Sequence, residues 1–150
     1  ETVRTMAEIA EETERHIDYA KRFRTNEFVI HDRVDAISHA TCGMAIDIGA
    51  KVIVVTSMSG MTVRMVSRFR APTDIVGMAT NKRVWYKLSL SWGVLPVLSE
   101  QFNSTDVLFY HALRAARDTM HLQPGDNVVM TGGITNGKSG NTNLIKIEAV

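Results

Sequence analysis

The apolar positions of this chain follow two periods, and the change between them divides it. Val3, Met6, Ala10, Thr13, Ile17 and Ala20 recur at helical spacing, so residues 2 to about 23 read as one long amphipathic helix. The rest of that helix is charged, with Glu8, Glu11, Glu12, Glu14 and Arg15. One stripe does not make a core, so this arm needs something else to pack on. Residues 25–30 read as a connector, and a second helix follows over 32–49 with the stripe Val34, Ile37, Thr41, Met44 and Ile48. A row of small residues, Ala36, Ala40 and Gly43, gives that helix a second side open to close backbone contact.

From Lys51 the pattern changes. Residues 52–55 are β-branched without alternation, as expected of a strand covered on both faces. A helix over 61–70 is closed by Pro72, and then come a strand at 74–78 and a helix at 81–90. The strand 94–98 contains Pro96, which predicts a sheet edge. Phe109, Leu113, Ala116 and Met120 mark a helix over 105–121, with Ser104, Thr105 and Asp106 suited to its cap and first turn. Pro124-Gly125-Asp126 turns into a strand at 127–131, and a last strand occupies 144–148. Strands separated by crossover helices predict a parallel, doubly wound sheet. The final pair is joined without a helix, so its last member is expected to be antiparallel. The predicted fold is therefore α/β: three layers around a mostly parallel five-stranded sheet, preceded by a long N-terminal helix.

Composition narrows the class. A length of 150 residues suits one domain. With 45% apolar and 22% charged residues, disorder, collagen and a disulfide scaffold are excluded. No apolar run approaches the roughly 18–20 residues of a membrane span, and the charged N-terminus is no signal peptide. The chain opens at Glu1 and not at a methionine, which reads as processing or as a piece of something longer. A net charge of +1 with interspersed signs leaves no basic stripe for nucleic acid. The lone Cys42 reads as a buried thiol in a reducing, cytoplasmic setting. His16, His31, His39, His111 and His121 lack metal-binding spacing and read as surface or capping residues.

Two polar loops carry the candidate chemistry. One is Thr56-Ser57-Met58-Ser59-Gly60-Met61-Thr62, after the first strand; the other runs from Thr131 to Asn143, after the fourth. In an open α/β sheet, ligands bind beyond the carboxyl ends of strands where the winding reverses. With strand one central, both loops face that crevice. Ser59, Gly60 and Thr62 offer hydroxyls and N–H groups at a helix start, where phosphate is held well, and Lys138 adds a cation. Gly132 to Ser139 also satisfies the G-x-x-x-x-G-K-[ST] pattern, but a β-like stretch follows where a nucleotide loop requires a helix. No paired carboxylates, nucleophile elbow or nucleophile–base pair is visible, so the domain is expected to bind and not to catalyse.

Several strings then converge on one family. Asp35-Ala36-Ile37-Ser38-His39-Ala40-Thr41 with Lys51-Val52-Ile53-Val54-Val55-Thr56 resembles the C-terminal domain of pyruvate kinase. So do Ser59-Gly60-Met61-Thr62, Val66-Ser67-Arg68-Phe69-Arg70-Ala71-Pro72, Trp92-Gly93-Val94-Leu95-Pro96-Val97, Gly125-Asp126-Asn127-Val128-Val129, Thr131-Gly132-Gly133 and Gly140-Asn141-Thr142-Asn143. Met6-Ala7-Glu8-Ile9-Ala10-Glu11 is similar to the last helix of that enzyme's catalytic barrel.

The resemblance implies a division into residues 1–24, the end of a barrel, and 25–150, the regulatory α/β domain. It implies a glycolytic homotetramer that transfers phosphoryl from phosphoenolpyruvate to ADP with magnesium and potassium, its active site lying in a barrel outside this chain. It further implies a phosphorylated effector, a sugar phosphate or AMP, held by Ser57, Ser59, Gly60 and Thr62 and closed over by Lys138, Ser139 and Gly140. Subunit contacts would fall to helix 32–48 and strand 144–148. Met58 and Met61 stand where many members carry charges, which favours a monophosphate as much as a doubly phosphorylated sugar. The alternatives are a stand-alone phospho-ligand sensor of the same fold and, further behind it, a P-loop nucleotide-binding protein.

Overall fold

A computed structural model describes residues 1–133 and 141–150. Helices α1 (Thr2–Arg15), α2 (Tyr19–Thr25) and α3 (Arg33–Asp47) precede a β/α alternation. That alternation comprises β1 (Val52–Ser57), α4 (Met61–Arg68), β2 (Asp74–Ala79), α5 (Lys82–Leu88), β3 (Val94–Leu98), α6 (Thr105–Met120), β4 (Asn127–Gly132) and β5 (Leu144–Ala149). The sheet order is β3-β2-β1-β4-β5, with β5 antiparallel and all other pairs parallel. The predicted fold class holds, and Pro96 does lie on an edge strand.

The central strands read as unbroken apolar runs because both their faces are covered. Ile53, Val55, Ile75, Val94 and Val129 pack in the layer beneath α3, α4 and α5. Val52, Val54, Val76, Met78, Val128 and Met130 pack in the opposite layer under Phe109, Ala112 and Ala116 of α6. Successive strand residues point to opposite faces, so a doubly covered strand has no polar face to show.

Three expectations are corrected. The arm is two helices and not one: Asp18 breaks it, its carboxylate accepting the Lys21 N–H at 2.9 Å to cap α2. Phe23 of α2 joins the core, whereas α1 buries no residue and leaves Val3 and Met6 80% and 64% exposed. The buried face of α3 is Asp35, Ser38, Thr41, Cys42 and Ala45, sharing only Thr41 with the stripe expected from the sequence; Met44 is exposed. Small side chains bring this helix close to its neighbours, and the one charge among them is answered. Asp35, 5% exposed at its side chain, meets Arg68 at 3.2 Å and accepts the His31 N–H at 3.1 Å. Lastly, two histidines are aromatic neighbours. His39 stacks on Phe23 at 4.8 Å between Phe28 and Phe69, and His111 stacks on Phe102 at 4.4 Å.

Cys42 is the buried free thiol expected of it. Desolvation pushes its pKa up to about 12. Above the thiol's ordinary value the unfolded chain releases a proton that the folded chain retains, so stability falls as pH rises from about 9 toward 12. The native protein at pH 8 should therefore leave a chromogenic disulfide reagent unreacted until guanidinium unfolds it. Stoichiometric labelling without denaturant would contradict this burial.

Candidate functional site

The sheet order places β1 beside β4, with their carboxyl ends adjacent, so the two polar loops meet as the topology requires. Ser57 closes β1, and its Oγ accepts the Gly60 N–H at 3.1 Å. Ser59 Oγ accepts the Met61 N–H at 3.4 Å. Gly60 caps α4 with φ of 75° in the left-handed region. A Cβ there would stand 3.0 Å from Val84 and 3.2 Å from Leu88, so glycine is required both by conformation and by the close floor of α5. The first turn of a helix leaves its N–H groups without intrahelical acceptors. The two serine hydroxyls answer those of Gly60 and Met61.

The opposite wall begins where β4 ends. Asn143 N–H donates to Gly132 O at 3.1 Å, and Thr131 Oγ1 donates to Leu144 O at 3.0 Å, which ties the start of β5 to the end of β4. Thr142 then reaches across, its Oγ1 lying 2.6 Å from Thr62 Oγ1. Ser57, Ser59, Gly60 and Thr62 are thus brought together, while Lys138, Ser139 and Gly140 lie outside the described residues. Among the described residues, 141–143 are irregular and lead into β5, not into the helix that a nucleotide loop needs after its G-x-x-x-x-G-K-[ST] string.

Two residues escape a reading of the sequence alone. Thr142 touches the helix start only because of the register between β4 and β5. Arg64, one turn beyond Met61, carries its guanidinium to 3.9 Å from the Met61 sulfur on the exposed side of α4.

The sequence pattern of the pyruvate kinase alpha/beta domain matches residues 35–148. The chain belongs to the pyruvate kinase family. It is 37% identical over its whole length to pyruvate kinase of Clostridium acetobutylicum, covering 32% of that protein. It is 32% identical to pyruvate kinase of Staphylococcus saprophyticus and 31% to that of Lactobacillus delbrueckii subsp. bulgaricus, again over its whole length and covering 26% of each. The chain therefore spans about a quarter to a third of these relatives and corresponds to the C-terminal pyruvate kinase domain. Among the described residues no helix is long and apolar enough to cross a membrane.

Proposed function

We propose that this chain is the regulatory end of a pyruvate kinase and binds a phosphorylated small-molecule effector between the β1–α4 loop and the β4–β5 loop. The observation that carries the reading is the meeting of Thr62 and Thr142 across the mouth of α4 at 2.6 Å. Hydroxyls from both loops and first-turn N–H groups then converge where a helix N-terminus favours an anion. Lys138 supplies a cation, and with Met58 and Met61 uncharged the pocket suits a monophosphate, a hexose or pentose phosphate or AMP.

Assembly is proposed through α3 and β5. β5 is an edge strand of the sheet, and α3 presents Met44 outward. Gly43 is partly taken up within the chain, since its Cβ position lies 3.9 Å from Phe23. The exposed stripe of α1 is assigned to the enzyme's own barrel domain. Transfer of phosphoryl from phosphoenolpyruvate to ADP, with its magnesium and potassium, belongs to that barrel. Among the described residues no cluster of three His, Cys, Asp or Glu is placed to hold a metal ion.

The test is a melting titration with glucose 6-phosphate, ribose 5-phosphate, AMP and inorganic phosphate. A ligand at 100 times its dissociation constant should add about 2.7 kcal/mol. No shift with any of them would remove the effector reading.

A further inference from the structure

We propose that Trp92 couples the crevice to the N-terminal arm, with α4 as the rod between them; this deepens the effector reading and rests on it. The first turn of α4 forms the wall of the crevice, and its eight residues span about 12 Å. At the far end Ser67, itself buried, donates its Oγ proton to the Trp92 carbonyl at 2.6 Å. Two residues past the helix, Arg70 stands at φ of 49°, and its guanidinium lies 5.7 Å from the Trp92 ring. A non-glycine residue persists in that region only where its surroundings hold it, and here the Ser67 carbonyl accepts the Arg70 N–H at 3.1 Å. Trp92 is thus fixed to the end of α4 through both its backbone and its ring.

The other side of the indole faces the arm. Trp92 Nε1 donates to Glu14 Oε1 at 3.3 Å, and the Tyr19 ring lies 5.0 Å away. Glu14 is in the last turn of α1 and Tyr19 opens α2, so one indole spans the break at residues 16–18. Phe23 anchors α2 in the core, whereas α1 buries nothing and reaches the α/β layers through Glu14. A single hydrogen bond between exposed groups shifts an equilibrium by only about tenfold or less. A joint that weak sits within the roughly 5- to 150-fold range by which one ligand biases another site. Beside the indole lies a cleft of about 280 Å³ lined by Glu14, Tyr19, Pro72, Asp74, Trp92 and Gly93, so the joint is not packed solid. Movement of α4 on ligand binding would pull on Trp92 and so make or break the hold on α1, which carries the stripe assigned to the barrel.

The experiment is hydrogen exchange of residues 2–18, with and without whichever of glucose 6-phosphate, ribose 5-phosphate or AMP binds in the melting titration. Saturation should change exchange across residues 14–18 at least fivefold, and Ser67→Ala should cut that change below twofold while the ligand still binds. Glu14→Ala, an exposed substitution that spares the core, should by linkage alter the ligand's dissociation constant measurably, because the joint it removes is coupled to binding. Binding without any change in exchange would overturn the coupling and leave the crevice intact. A full response in Ser67→Ala would overturn it equally, because α4 would not be the route. If none of the three ligands binds, the effector reading falls and the coupling falls with it.

Discussion

Ser59→Asp is expected to erase the stabilisation that a phosphorylated ligand gives the wild-type chain. At 100 times the dissociation constant that stabilisation is about 2.7 kcal/mol, or roughly 5–10 °C in melting temperature for a chain of this length. The substitution sets a carboxylate beside the first turn of α4, where the ligand's phosphate would otherwise lie, so the two negative charges compete for the same N–H groups. Without ligand the sign reverses. A carboxylate at a helix N-terminus is worth about 0.3–1 kcal/mol in the favourable direction, so the unliganded variant should melt at or slightly above wild type. Loss of the ligand shift together with an unimpaired unliganded melt separates a site effect from a folding defect. A variant whose shift survives in full would place the phosphate elsewhere.

The parts of this molecule that the sequence reveals are those where one physical demand dominates. Residues 52–55 announce a doubly covered strand because nothing but burial acts on them, and Pro96 announces an edge because it cannot donate to a ladder. From such strands the order β3-β2-β1-β4-β5 follows, and with it the meeting of the two loops. The buried face of α3 was not legible in the same way. Its apolar stripe suggested burial of Ile37 and Met44, but the helix turns inward its small side chains and a carboxylate. What makes Asp35 tolerable is Arg68, thirty-three positions away, and no local pattern announces that pairing.

The candidate site shows the same division. Ser59, Gly60 and Thr62 are visible as a cap and loop after a strand. Thr142 becomes a neighbour of Thr62 only once β4 and β5 are in register, and Arg64 meets the Met61 sulfur only through the length of its side chain. The break in the arm lies between these cases. Val3 to Ala20 keeps its period straight through residue 18, but Asp18 is also a good helix cap, and capping prevailed over periodicity.

Gly132→Ala should destabilise the chain by about 1–3 kcal/mol, and Thr56→Ala should undo most of that loss. A Cβ on Gly132 would fall on Thr56 Oγ1, with Thr56 Cβ 3.3 Å away and the Thr56 carbonyl oxygen 3.7 Å away. Gly132 is not in the left-handed region, so the demand for glycine here is one of space between β1 and β4. Both positions are buried, and Thr56 has no open volume to yield into without giving up its 3.4 Å hydrogen bond to the Thr131 carbonyl. Thr56→Ala alone gives up that long bond and a little packing, an expected loss of about 1 kcal/mol. In the double variant the added methyl takes the place of the removed hydroxyl. The two changes should therefore be non-additive by about 0.5–3 kcal/mol in the stabilising direction. Urea unfolding of wild type, both single variants and the double measures that coupling, provided the slopes agree. Strict additivity would show that the β1–β4 contact does not explain Gly132. Because Asn143 bonds to the Gly132 carbonyl, the same wedge displaces the wall that carries Thr142. The double variant should then recover ligand binding along with stability, which ties the spacing of two buried strands to the closure of the crevice above them.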